Sequence, residues 1–384
     1  MSEGKTVLVL GGGVGGVVTA RELRKLLPAP HRVVLVERER EHLFAPSLLW
    51  LMVGMREAKA IRRPLAELAK KGLEVRTGEI EAIDPVARRV TVSGEALAAD
   101  YLVVTLGADL APETIPGLAK AGHNFYGLAG AESLWAALRS FQGGRIVVLT
   151  AAPAYKCPAA PYEAAMLLDH YVRAERRLEV STAVYAAEPA PMGVAGPHVS
   201  AAVRELLATK GIAYHPEHQV TQVDPQARRI TFANGAHADY DLLAYVPPHR
   251  APRVVREAGL TGASGWISVD RHTLETSHPQ VYALGDVVSI PLTLGKPLPK
   301  AGVFAHGQAT VVAQNLALAI TGQGEPARFD GHGECFIETG GGAAGFGSGN
   351  FYGEPKPEVE LFPPAVHFHL AKVLFEKTWL TFTV

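Results

Sequence analysis

The chain is 384 residues long, 48% hydrophobic and 20% charged, with 37 Lys and Arg against 38 Asp and Glu and only two cysteines. That apolar content at a net charge of −1 excludes a disordered chain, and at about 100–200 residues per domain the length allows two or three domains. Balanced charge leaves no global field to attract nucleic acid, so no such partner is expected, and two cysteines cannot form a disulfide framework.

Met1 to Lys5 lead straight into an apolar strand without a secretory signal, and no run reads as a membrane span of ~18 apolar residues. The expected location is cytoplasmic. Thr6–Leu10 is a continuous apolar run, Gly11 to Gly16 a glycine cluster, Val17–Leu27 has helical periodicity, and Arg32–Glu37 is a second apolar strand. Within this βαβ unit, Gly11-x-Gly13-x-x-Gly16 follows a strand and opens a helix, and Glu37 closes the next strand. The first glycine permits a tight turn, the second lets backbone approach a pyrophosphate, and the third lets helix and strand pack closely; the acid accepts from a ribose diol.

Further along, Asp84-Pro85-Val86-Ala87-Arg88-Arg89-Val90-Thr91 recurs as Asp224-Pro225-Gln226-Ala227-Arg228-Arg229-Ile230-Thr231, an offset of 140. The same offset carries the first strand onto Ile146–Thr150, another apolar strand. A common hairpin met twice by chance explains one match, whereas two unrelated matches at one offset point to a duplicated unit. At that offset Gly11, Gly13 and Gly16 become Ala151, Pro153 and Lys156, followed by Cys157. A proline and side chains now stand where backbone must approach a pyrophosphate, which disfavours nicotinamide binding. The turn instead sets a thiol beside a lysine and a predicted helix N-terminus, both of which lower a thiol pKa. Cys157 is therefore expected to be reactive rather than an inert buried thiol.

Thr105-Leu106-Gly107-Ala108 and the strand Gln280–Leu284 ending in Gly285-Asp286 add two motifs to the first fingerprint. Together they resemble the flavoproteins of the FAD-dependent pyridine nucleotide-disulfide oxidoreductase superfamily. The resemblance implies an α/β fold of two tandem Rossmann-like, glutathione-reductase-like domains and a small C-terminal α+β segment. The expected division is 1–110 with 241–325 for FAD, 111–240 for a degenerate NAD(P)-like domain, and 326–384 for the C-terminal segment. Val303–Thr321 is predicted helical, Glu338–Gly353 reads as a Gly-rich hairpin, and His367–Leu380 as a short aromatic helix. FAD contacts implied are Gly11, Gly13, Gly16, Glu37, Gly107, Gly285, Asp286, Lys300, Ala301 and Gly302.

Lys156-Cys157-Pro158-Ala159-Ala160-Pro161-Tyr162-Glu163 resembles the Cys-Pro-x-x-Pro-Tyr-Glu segment of sulfide:quinone oxidoreductases and of the flavocytochrome c sulfide dehydrogenase flavoprotein. Phe44–Trp50 with Gly54, Pro299–Gly302 and Lys372–Lys377 look like other segments of that group. The resemblance implies a redox disulfide beside the flavin, whose second member here is Cys335. Hydrosulfide opens it, leaving a persulfide on one sulfur and a thiolate on the other, by resemblance Cys335, which passes two electrons through the flavin to a quinone. No third cysteine is left for covalent flavin attachment or sulfur shuttling.

By the same resemblance Glu163 is either a base toward sulfide or thiol or the partner of a surface lysine, and Lys300 stabilises negative charge on reduced flavin. The tail helix either docks on the inner face of the cell membrane or packs against a domain. The alternatives kept open are an NADH:quinone oxidoreductase and a subunit donating electrons to a cytochrome. No metal site is expected, and the oligomeric state is open, a homodimer included.

Overall fold

The computed structural model describes residues 4–384. In chain order come β1 (Thr6–Leu10), α1 (Val14–Leu26), β2 (Arg32–Glu37), β3 (Glu74–Thr77), a meander of β4 (Ile80–Asp84), β5 (Arg89–Val92) and β6 (Glu95–Ala98), and β7 (Tyr101–Val104). A second series follows with β8 (His123–Asn124), α2 (Leu128–Ser140), β9 (Gly144–Thr150), α3 (Ala160–His170), β10 (Val180–Ala186), α4 (Pro197–Thr209) and β11 (Ala213–His215). Its meander is β12 (Val220–Asp224), β13 (Arg229–Phe232) and β14 (His237–Asp239), and β15 (Leu242–Val246) completes it. The chain ends with β16 (Val281–Ala283), α5 (Gly302–Thr321), β17 (His332–Gly340), β18 (Ala343–Asn350), β19 (Glu358–Ala365) and α6 (Val366–Thr378).

Two parallel sheets organise these elements, ordered β16-β7-β1-β2-β3 and β8-β15-β9-β10-β11. Their central strands β1 and β9 are buried almost throughout, which is why they read as unbroken apolar runs rather than alternating ones. The duplication extends to detail. In both meanders the first two strands pair in the same register with an irregularity at the same place. Asp84 Oδ1 accepts from the N–H groups of Val86 and Ala87, and Asp224 Oδ1 from those of Gln226 and Ala227. Arg88 and Arg228 then turn the chain at φ 51° and 52°.

The expected boundary at residue 240 is corrected by the second sheet. β15 pairs with β9 in the position that β7 holds beside β1, so Leu242–Val246 belongs to the second sheet and the chain returns to the first only with β16. The reason is the duplication itself, because Leu242 stands 140 positions after Leu102. A second correction concerns α5, which is apolar and long enough to cross a bilayer by length and composition. Half of its 18-residue apolar window is buried, and it lies against α1 as a core helix. The C-terminal strands form an antiparallel sheet, β17-β18-β19, on which α6 packs.

Candidate active site

A cavity of about 620 Å³ opens at the carboxyl ends of the first sheet's strands, the place where parallel α/β sheets bind ligands. Its wall includes Gly11, Gly13, Glu37, Gly107, Gly285, Asp286, Lys300, Ala301 and Gly302, with Lys156 and Cys157. Gly11 turns at φ +105°, and a Cβ there would meet Thr105 O at 2.6 Å. Gly16 lies outside the wall: a Cβ on it would collide with Gly11 O, so it serves helix–strand packing. Gly13 has open space where a Cβ would be, which suits close approach of a phosphate to its backbone. The N-terminus of α5, capped at Ala301, also meets the cavity and adds partial positive charge. These donors fit an extended dinucleotide. Glu37 accepts from the N–H groups of Gly12 and Glu39, which fixes its carboxylate in the cavity wall.

The corresponding place in the second unit is filled. Glu188 accepts from the hydroxyls of Tyr155, Tyr162 and Thr150 at 2.5, 2.8 and 2.7 Å, and both tyrosines are buried. A phosphate loop has been replaced by a closed side-chain network.

Cys157 sits between these regions in the left-handed conformation, φ +50°. Its N–H donates to Lys300 O, and its carbonyl accepts from Tyr126 Oη at 3.1 Å and from the Ala160 N–H at 3.0 Å. Cys335 comes from β17, opposite Gly347. Both are free thiols, far apart in sequence; Cys335 Sγ donates to Phe336 O at 3.4 Å, and the two thiols lie near enough to act on each other. Cys157, burial and the neighbouring Glu163 charge push the Cys335 thiol well up. Cys157 is in the cavity wall and Cys335 is not.

Glu163, in the first turn of α3, is 2% exposed. Its Oε2 accepts from Lys372 Nζ at 2.7 Å and from the Glu338 N–H at 3.0 Å. Its lysine partner is thus buried, not a surface lysine. Burial pushes the Glu163 carboxyl up, with Lys372 opposing. Burial also works against the Lys372 charge, but Glu163 and Glu338 raise it overall. Lys300, also in the wall, donates from its ammonium to Asp286 O at 2.7 Å and Val288 O at 2.8 Å and lies 3.5 Å from the Trp266 ring centroid. Burial drops its pKa to about 8. It pins the Gly285–Val288 turn. Lys156, whose charge acts on Asp286, is the second ammonium-bearing residue in the wall.

Sequence reasoning also missed how the tail binds the first unit. Trp379 Nε1 donates to His42 Nε2 at 2.9 Å, and His42 Nδ1 donates to Gly12 O at 2.8 Å. Glu376 takes Ser47 Oγ and Arg56. Among the described residues no cluster suited to a metal occurs.

Fold and cavity define a flavin-dependent oxidoreductase. The chain belongs to the pyridine nucleotide-disulphide oxidoreductase family, whose model matches residues 5–309. It is similar to the sulfide-quinone reductase of Aquifex aeolicus, 29% identical over 81% of this chain and 76% of that one. It is also similar to the mitochondrial sulfide:quinone oxidoreductase of Mus musculus, 25% identical over 87% of this chain and 75% of the other. The X-ray structure of the Aquifex aeolicus sulfide:quinone oxidoreductase superposes with a TM-score of 0.88 at 25% identity, covering 99% of this chain and 91% of that one.

Proposed function

We propose that this chain is a sulfide:quinone oxidoreductase that carries FAD in the cavity of its first unit. The observation that carries the reading is the meeting of Cys157 and Cys335 beside that cavity. In their oxidised form the two make a disulfide. Hydrosulfide attacks Cys335, forming its S–S bond as the Cys157–Cys335 bond breaks, so that Cys335 carries the persulfide and Cys157 leaves as thiolate. Cys157 takes the cofactor side because it is the sulfur in the cavity wall. A second hydrosulfide takes the outer sulfur from Cys335 as HSS−, leaving two reduced cysteines, and FAD, when bound, would supply the two-electron acceptor through which they re-form the disulfide and the electrons pass to quinone.

Membrane docking belongs to the same reading. On α6, Val366, Leu370 and Leu374 recur every fourth residue and are 60, 58 and 65% exposed, while Lys372 and Glu376 face inward and are buried. A helix serving only to pack would do the opposite; an apolar outer face suits a lipid surface that also supplies the quinone.

The chain is accordingly divided into a flavin unit built on residues 5–104 and 281–322, a second unit ending after Val246 with its nucleotide site closed, and a C-terminal segment bearing the second thiol. The NADH-driven alternative is weakened by the Glu188 network. The test is anaerobic addition of sulfide, and separately NADH, to the oxidised holoprotein. Sulfide should bleach the flavin band in the wild type but not in Cys157→Ser or Cys335→Ser, and NADH should leave it unchanged. Bleaching by NADH alone would overturn the reading, and reoxidation by cytochrome c but not by a short-chain quinone would favour the subunit alternative.

A further inference from the structure

Four ionisable side chains that the sulfur chemistry does not directly consume lie between the cysteine pair and the apolar face of α6. Glu163 is the first, close enough to Cys335 for its charge to act on the thiol. Lys372 Nζ is 2.7 Å from Glu163 Oε2. Glu338, 1% exposed, lies near both: its N–H donates to Glu163 and its carboxylate acts on Lys372. His369 closes the series, with Nδ1 3.1 and 3.0 Å from the two Glu338 carboxylate oxygens and 15% of its side chain exposed. His369 stands next to Leu370 and three residues after Val366, both on the exposed apolar face. The path therefore runs from the sulfurs to the surface assigned to the quinone. Two steps lack a direct side-chain hydrogen bond, from the sulfurs to Glu163 and from Lys372 to Glu338.

The charge count gives the series its chemical character. Two buried carboxylates against one ammonium leave one negative charge, and burying an uncompensated charge is costly. One added proton neutralises the set. The other charged groups facing it are Cys157 and Cys335 from the sulfur side and the Arg56–Glu376 pair. Arg56, Lys372 and His369 all meet the Trp50 ring, at 4.4, 5.0 and 6.0 Å between centres. A paired Arg56 and Glu376 cancel, so the single missing proton stays with the four.

The reaction needs such a path. Oxidation of H2S to zero-valent sulfur releases two electrons and two protons, and a quinone takes up two of each to become quinol. Electrons leave through the cofactor; protons require side chains. We propose that Glu163, Lys372, Glu338 and His369 relay protons released at the Cys157/Cys335 pair to the apolar face of α6, the side from which lipid supplies the quinone. The proposal rests on the sulfide:quinone reading.

The test uses the holoprotein with sulfide and a short-chain soluble quinone, comparing wild type, His369→Ala and Glu338→Gln in H2O and D2O. Turnover should fall by at least about tenfold in each variant, below the 10²–10⁴ typical of a lost acid–base group because water partly substitutes. The solvent isotope effect should rise, and the KM for quinone should hold. Free imidazole should restore His369→Ala and leave Glu338→Gln slow, a split that loss of structure alone would not produce. Turnover of His369→Ala within twofold of wild type, or a loss that imidazole does not restore, overturns the relay while the sulfide reading stands. A wild-type flavin that sulfide does not bleach overturns both.

Discussion

Lys300 and Lys156 show how far apart two lysines in one cavity wall are in role. Lys300 is spent on two backbone carbonyls and an aromatic face, so its removal should act on the turn that presents Asp286. A hydrogen bond from a charged donor contributes about 1.5–3 kcal/mol, and Lys300→Met loses two of them. Flavin binding should weaken by at least about tenfold, with the midpoint potential of the bound flavin little changed. Lys156→Met removes an ammonium-bearing residue from the cavity wall, and the potential should fall as reduced, negatively charged flavin loses a cation. Redox titration of the two holoproteins checks both outcomes; a lowered potential in Lys300→Met and none in Lys156→Met would reverse the assignment. The hold on Lys300 was not legible in sequence, because the carbonyls of Asp286 and Val288 come into its reach only when β16 and α5 are assembled. For the same reason the Glu163–Lys372 pair was illegible, its members lying 209 positions apart.

At the scale of elements, the parallel sheets were legible because buried strands must be continuously apolar and a phosphate turn must be glycine-rich. The offset of 140 would even have placed β15, had it been applied to β7 as it was to β1. The locking of the tail onto the glycine turn was not legible, since a tryptophan and a histidine carry no mutual signal in sequence. That lock has a definite pH dependence. Burial lowers the His42 pKa below its ordinary 6.5, with Gly12 and Glu37 opposing. His42 Nε2 accepts from Trp379 only when the ring is neutral. A depressed histidine pKa means that the detached state takes up the proton first, so the contact is full above about pH 6.5 and is lost as pH falls below it. Trp379→Phe removes the donor at all pH values and costs about 1 kcal/mol. Flavin release, followed by its fluorescence, should be roughly fivefold faster in the variant near pH 8, and the two proteins should converge in acid. A constant ratio between them from pH 8 to pH 5 would show that His42 does not govern the lock.

The whole molecule joins three parts: a unit with an open cavity, its duplicate with the corresponding place closed over Glu188, and a C-terminal sheet and helix that deliver the second thiol. α6 turns Lys372 and Glu376 inward to Glu163 and Arg56 and Val366, Leu370 and Leu374 outward, while Phe375 and Phe382 extend the exposed apolar surface at 46 and 66%. An inward charged face fixes the helix by specific pairs, which leaves the apolar outer face uncovered. Each large aliphatic or aromatic side chain that enters lipid contributes about 1–2 kcal/mol, and Leu374 and Phe382 lie away from the sulfurs and from the relay. Replacing both by glutamate should lower partition onto phospholipid vesicles, measured by co-sedimentation, by roughly a hundredfold. Turnover with a short-chain soluble quinone should be retained while turnover with a long-chain quinone embedded in vesicles is lost. Equal loss with both quinones would assign these side chains to the catalytic structure instead, and undiminished sedimentation would mean that another surface meets the bilayer.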